Sequence, residues 1–321
     1  MKTFSISQAV AEPFRQAVRR PMATMIWGLV LLAPTALAFA AIIPMLTELM
    51  ASGAFENGPG PDHVSPFDDD FAAMMQFQIW SQLANIAQLF AVLLVTTAII
   101  RAVFASRRGD SAAHLRIGMQ ELYVAVIGVT VGIGMVITVV AAVLLAVAIG
   151  LALGGTPEPW RSLIYFGMGI GLAVGFLALW GRLALLAPAC LRYNTFAFVE
   201  GWKLGRGQTW RLLALMIVMF FVALVLCAVL FTVILVAAMF VGGGMAAMEP
   251  EPEAVQAWFE GLQGRPLLLI GGGILLLLPV AWVHGFCQLL GAAPFARAVL
   301  DLAPDVTPNS AISADTALID H

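Results

Sequence analysis

Gln78, Gln82, Asn85 and Gln88 recur at three- and four-residue spacing, so on a helix they form one polar stripe, with Ser81 beside it. Uncharged amides both donate and accept hydrogen bonds. The chemistry open to such a stripe is the lining of a polar cavity or bonding between neighbouring helices. A second constellation is cationic and aromatic: Arg182, Arg192, Trp202, Lys203, Arg206, Trp210 and Arg211 gather in one stretch. Guanidinium and ammonium groups beside indole rings suit a layer of lipid headgroups, or the acidic surface of a partner. The run Asp68-Asp69-Asp70, after His63, offers carboxylates to a metal, but acids at the start of a helix also complement its dipole.

Other reactive constellations are missing from the sequence. It contains no G-x-x-x-x-G-K-[ST], H-E-x-x-H or G-x-S-x-G. His63, His114, His284 and His321 are scattered, and Cys190, Cys227 and Cys287 include no C-x-x-C. Neither a catalytic site, a metal centre, a bound cofactor nor a disulfide framework is expected, and no nucleic-acid partner is implied.

The elements that must carry these residues are set by composition. The chain has 321 residues, of which 61% are hydrophobic and 11% charged. A soluble domain carries about a quarter charged residues. Six apolar segments run approximately over Met22–Thr47, Phe77–Phe104, Tyr123–Leu153, Leu163–Ala187, Leu212–Gly242 and Leu267–Gly291. Roughly 20 apolar residues in a helix cross a bilayer, and backbone groups in lipid must be satisfied internally, so six transmembrane helices are predicted. The segment after Leu212 is too long for one crossing, and a break is expected near Gly242-Gly243-Gly244. The run following Arg19-Arg20 is read as an uncleaved first span rather than a signal peptide.

Charge orients the spans. Of the 16 Lys and Arg residues, all but Arg161 and Arg265 fall at alternate junctions, while the opposite junctions hold most of the acids. Basic residues are retained on the cytoplasmic side, so both termini are predicted to be cytoplasmic. Residues 1–21 form a cytoplasmic amphipathic segment, 22–300 the six-helix domain, and 301–321 a cytoplasmic tail expected to be disordered. Arg101 and Arg182, near the inner ends of the second and fourth spans, are expected to snorkel to headgroups or to grip lipid phosphate. No Asp, Glu or Lys lies deep in a span, which argues against a proton relay.

Each odd span follows a short inner amphipathic stretch. The first places Ile6, Val10, Phe14 and Val18 on one face, with a capping pattern at Ser5 and Gln8 and either a kink or the start of a second helix expected at Pro13. The second follows Asp110, with Leu115, Met119 and Leu122 apolar and Arg116, Gln120 and Glu121 polar. The third, Thr195 to Trp210, turns Phe196, Val199 and Trp202 toward lipid, with a bend at Gly205 and Gly207. The last outer loop repeats the pattern at Val255, Trp258, Phe259 and Leu262. The predicted fold is therefore an all-α integral membrane protein of three hairpins with cytoplasmic interfacial helices. Gly167, Gly171 and Gly175 make a small-residue ridge, and Gly128 and Gly132 begin another. These are predicted to pack helices closely, within the chain or in a homo-oligomer.

From Trp180 to Leu213 the chain reads WGRLALLAPACLRYNTFAFVEGWKLGRGQTWRLL. The Arg-Leu-x-Leu-x-x-Pro segment, Gly201-Trp202-Lys203-Leu204 and Arg206-Gly207-x-x-Trp210-Arg211-Leu212 resemble the inner loop of the bacterial membrane-domain family associated with glycerophosphoryl diester phosphodiesterases. Gly205 stands where that family commonly has Thr. The soluble phosphodiesterase domain has no counterpart here, so the resemblance implies no such activity. It implies a non-enzymatic inner-membrane protein that organises membrane or associates with lipid. The alternative expectation is a permease subunit working with a separate ATPase, faintly suggested by Glu200 and Gly205 in a basic inner loop. The partners expected are membrane lipids and an unidentified membrane protein or second copy.

Overall fold

Helix is the only regular structure among the described residues, which in this computed structural model are 3–51, 67–105, 115, 118–241 and 266–303. Among these residues, six helices are long and apolar enough to cross a membrane. They are α2 (Pro21–Ala51), α3 (Phe67–Phe104), α4 (Met119–Ala152), α5 (Glu158–Leu183), α8 (Thr209–Val241) and α9 (Pro266–Leu302). Three shorter helices accompany them: α1 (Ile6–Arg19), α6 (Leu186–Tyr193) and α7 (Phe198–Leu204). The triple glycine after α8, the amphipathic stretch around Trp258, and Asp110 lie outside the described residues. Met119 and Leu122, expected in a separate surface helix, belong to the first turn of α4.

Local signals account for the helix ends. Ser5 caps α1, its side chain accepting from the Gln8 amide at 3.5 Å. Pro13 does not break α1, which runs on to Arg19. The chain instead turns at Arg20, whose backbone leaves the helical region, and α2 starts on Pro21, a residue suited to a first helical turn. Glu121 accepts from the Gly118 amide at 2.8 Å and so closes the start of α4.

Packing follows neither chain order nor hydrophobicity alone. The helix pair in broadest contact is α2 with α9, the first and last spans, and α3 lies against both. Trp27, Leu31, Val95, Ile99, Phe286 and Leu289 are buried between them. The α5–α8 pair forms a second group, whereas α4 rests on α6 and α3. Few side chains of α4 and α5 are covered by the rest of the chain. Helix α1 packs across α9 and also meets α8. It buries Ala9, Glu12, Pro13, Gln16 and Ala17, while Phe14 and Val18 of its apolar stripe remain exposed.

The tightest point is the crossing of α2 over α9. A Cβ on Gly28 would land on the Ala281 carbonyl, and one on Gly285 would land on the Thr24 carbonyl. Each would also stand 2.9 Å from the other glycine's amide nitrogen. Thr24-x-x-x-Gly28 and Ala281-x-x-x-Gly285 are thus matching small-residue pairs. They let two backbones meet where only a hydrogen fits, the geometry in which Cα–H···O contacts form. Gly285→Ala is expected to cost about 1–3 kcal/mol through forced separation of the helices. Its thermal unfolding midpoint in detergent should fall clearly. Gly291→Ala, where a Cβ would meet nothing, should leave the midpoint unchanged; equal midpoints for both variants would refute the crossing.

Candidate functional site

The basic stretch of the sequence folds into an elbow between α5 and α8. Helix α5 ends just after Arg182, and α6 follows after a short turn. Asn194 ends α6 in the left-handed region at φ 54°, a conformation that asparagine tolerates better than most side chains. The chain then doubles back so that the Ala197 amide donates to Cys190 Sγ at 3.1 Å. Helix α7 follows, shorter than the Thr195–Trp210 helix expected. Gly205 keeps helical angles and Gly207 alone, at φ 80°, makes the bend into α8.

Arg182 is held in place rather than snorkelling freely. Its Nε and Nη2 both donate to Thr209 Oγ1, at 3.0 and 2.6 Å, and its guanidinium lies over the Trp202 ring at 5.5 Å. This ties the end of α5 to the start of α8, with a cation–π contact to α7. Arg192 donates from Nε to the Ala303 carbonyl at 3.4 Å, a cation meeting the C-terminal end of α9. Lys203, Arg206 and Arg211 are exposed, with no ion-pair partner among the described residues. Trp202 and Trp210 are also exposed beside them, as are Phe196 and Val199.

A second knot occupies the same end of the molecule. Arg101 forms a 2.5 Å ion pair with Glu121 and donates from Nε to Gln120 Oε1 at 2.8 Å. Gln120 in turn donates to Asn194 Oδ1 at 3.0 Å. These bonds join α3, α4 and the end of α6. Arg101 is thus engaged in a nearly buried ion pair, and Glu121 is the residue that sequence reasoning missed. On α1, buried Glu12 pairs with Arg15 and accepts from Gln16 Nε2 at 2.8 Å. Burial, then the nearby charges of Arg297 and Arg19, lower the Arg15 pKa from the ordinary arginine value. Arg297 bonds Gln8 at 2.8 Å and Asp301 at 3.1 Å, fastening α1 to α9. At the far end Arg161 pairs with Glu158 at 2.5 Å.

The polar stripe has a different setting. Gln78, Gln82 and Asn85 are exposed, and Gln88 is half-buried with its Oε1 enclosed and lacking a hydrogen-bond partner. Further along this face, Val92 packs on the core, Thr96 accepts from Gln288 Nε2 at 2.9 Å, and Ile99 is fully buried. The stripe is thus the outward continuation of the face that α3 turns to α2 and α9. The glycine ridge is elsewhere: Gly167, Gly171 and Gly175 face open space, as do Gly128 and Gly132. Helix α5 meets α8 near Gly181 instead. The close packing predicted for the ridge within the chain falls at Gly28 and Gly285, which the matched small-residue pairs could have signalled.

Among the described residues, no three His, Cys, Asp or Glu side chains group so as to hold a metal. No protein-family model, curated protein or solved structure matches the chain. What the arrangement can do chemically rests on the residues themselves: an exposed cationic and indole-bearing elbow, and an amide stripe rising from the helical core.

Two outcomes are expected. Glu121→Ala should cost about 3 kcal/mol by removing the nearly buried carboxylate that pairs with Arg101. Arg101→Ala with Glu121→Ala should cost less than the two singles summed, as read by thermal unfolding. A cysteine at Asn85 should react with a water-soluble maleimide in intact membranes. Full protection there would place the stripe against lipid or another helix.

Proposed function

We propose that this is a multi-pass protein of a bacterial inner membrane, with both termini cytoplasmic, whose elbow from Arg182 to Arg211 holds anionic lipid headgroups. In this reading the spans insert as three hairpins, α1 and α7 lie in the cytoplasmic interface, and the role is non-enzymatic: lipid association or membrane organisation. The family resemblance of residues 180–213 points the same way, and it rests on the motif residues alone.

One observation carries the proposal. Lys203, Arg206 and Arg211 stand exposed without carboxylate partners among the described residues, flanked by exposed Trp202 and Trp210. Most arginines at that end are already engaged: Arg101 with Glu121, Arg182 with Thr209, Arg297 with Asp301. Three cations left outward beside two indoles match a layer of phosphates under a headgroup surface. Each such charge near anionic lipid contributes about 1 kcal/mol. Indole rings prefer the same depth.

The test compares the protein in nanodiscs of phosphatidylglycerol with phosphatidylcholine. Anionic lipid should raise the thermal midpoint, and added salt should shrink the gain. The combined variant Lys203→Gln, Arg206→Gln, Arg211→Gln should lose most of the gain while keeping its midpoint in phosphatidylcholine. Equal midpoints of the unaltered protein in both lipids would overturn the proposal.

A further inference from the structure

The amide stripe of α3 runs down to the point where packing begins and stops there unfinished. From Ala91 inward, α3 is buried at Ala91, Val95, Ala98 and Ile99, and Thr96 accepts from Gln288 of α9 at 2.9 Å. About one turn outward of Ala91, Gln88 is half-buried, and its Oε1 is enclosed without a hydrogen-bond partner. Beyond it Asn85, Gln82 and Gln78 are exposed. A carbonyl shut from water without a donor is costly, so Gln88 marks a place where a donor is wanting.

At 1.5 Å per residue, Gln88 stands about 20 Å along α3 from Arg101, Asn85 about 24 Å and Gln78 about 35 Å. Arg101 belongs to the basic end, where it pairs with Glu121. A hydrocarbon core about 30 Å thick that starts at Arg101 holds Gln88 and Asn85 inside it and leaves Gln78 beyond it. The stripe is then a polar track from the far surface into hydrocarbon. Three observations limit what fits there. Gln88 Oε1 needs an N–H or O–H donor, and a turn about χ3 carries the carbonyl to the exposed side of the residue. The helices packed together here, α2, α3 and α9, have no Lys, Arg, Asp or Glu over residues 22–47, 71–100 and 266–296, so an ionic group finds no counter-charge. Their one histidine, His284, is exposed on α9. Leu83, Leu89 and Phe90 are exposed at the same depths, a surface that suits hydrocarbon rather than water. A soluble polyol meets the first two conditions and fails the third.

We propose that Asn85 and Gln88 bind the headgroup of an uncharged lipid that carries a free hydroxyl, of which a diacylglycerol is the simplest kind. It enters from the leaflet opposite the basic end. The hydroxyl donates to Gln88 Oε1, the Asn85 amide donates to an ester carbonyl, and the acyl chains follow Leu89 and Phe90. Such a lipid has no phosphate to hold it at the surface, so it can sink to the depth of Gln88, where a phospholipid headgroup would lose its hydration. The site is separate from the elbow. It lies toward the other end of α3, and it selects against the charge that the elbow favours.

The full chain carrying Gln82→Cys, in phosphatidylcholine nanodiscs, is labelled with a water-soluble maleimide, and the labelling of the unaltered protein is subtracted. Gln82 is exposed one turn above Asn85 and leaves both proposed contacts intact. Added dioleoylglycerol should slow labelling about fivefold, the effect of one hydrogen bond. The same lipid with its hydroxyl acetylated should not slow it. Adding Gln88→Leu should abolish the slowing without lowering the thermal midpoint, because the amide it removes has an unpartnered carbonyl. Asn85→Leu, at an exposed position, should weaken the slowing in a protein that keeps its packing. Equal slowing by the acetylated lipid would mean apolar filling only and would overturn the proposal. So would slowing that survives Gln88→Leu, no slowing at all, or no labelling before the lipid is added, as when a second chain covers the stripe. Every arm uses zwitterionic lipid and leaves Lys203, Arg206 and Arg211 unaltered, so the headgroup reading of the elbow stands or falls separately.

Discussion

Two backbones meet without a side chain between them where Gly28 crosses Gly285, and the arrangement of the described helices depends on that contact. In water, apolar helices associate because burial removes them from solvent. In a bilayer that drive is absent between spans, since lipid tails are as apolar as leucine. What remains is dispersion at close range, which decays within a fraction of an ångström of separation. A crossing that excludes even a methyl group brings the largest number of atoms into range. Here it joins α2 to α9, with α3 packed against both while α4 and α5 lie farther out. Trp27, Leu31, Ala281 and Leu289 are buried around it because the crossing brings them together.

Away from that crossing the molecule relies on polar fasteners at its basic end. Arg101 with Glu121, Gln120 with Asn194, Arg182 with Thr209, Arg192 with Ala303 and Arg297 with Gln8 each join elements far apart in sequence. Bonds of this kind gain strength at the rim of a hydrocarbon phase, where fewer waters compete for the same donors. This changes what the positive residues mean. Arg101, Arg182, Arg192 and Arg297 act as cross-links between elements, whereas Lys203, Arg206 and Arg211 of the elbow are left facing outward alongside Trp202 and Trp210. The outward group is therefore distinguished by lacking an internal partner, a property invisible in a count of charges.

Much of this is legible from the chain alone, and the reasons differ by feature. The six spans are readable because hydrophobicity is a one-dimensional property that needs no knowledge of neighbours. The Ser5 cap and the bend at Gly207 are readable because they are local. Which helices touch is not, because lipid-facing and helix-facing sides are equally apolar. Gly171 and Gly28 look alike in sequence, and only the partner helix tells them apart; here Gly171 faces open space and Gly28 meets Ala281. Glu121 is similarly ambiguous. It reads as a polar residue on a surface helix until Arg101, on a different span, is seen to reach it. The α1 stripe misleads for a related reason. Its buried face holds Glu12 and Gln16 because those side chains satisfy one another, while Val18 is exposed and Phe14 meets Phe286 edge-on with part of its ring.

The two modes of attachment divide the spans in a way that bears on motion. Helices α2, α3 and α9 are packed along their lengths around the glycine crossing, whereas α4 and α5 are held mainly near their ends, by Glu121 and by Arg182. Segments with few buried contacts open at lower free energy than densely packed ones, so displacement is easiest in the α4–α5 half. Because α5 is fastened to α8 through Thr209, and α7 lies against Arg182 through Trp202, displacement of α5 is mechanically coupled to the elbow. A headgroup or partner that binds the elbow more tightly in one position of α5 would bias that position by its difference in affinity, and by no more than that difference. The α2–α9 crossing would serve as the fixed frame for such a shift, since small backbone separations there forfeit contact on both helices at once. The same geometry that makes the crossing intolerant of a methyl group makes it the part of the molecule least able to take part in the movement.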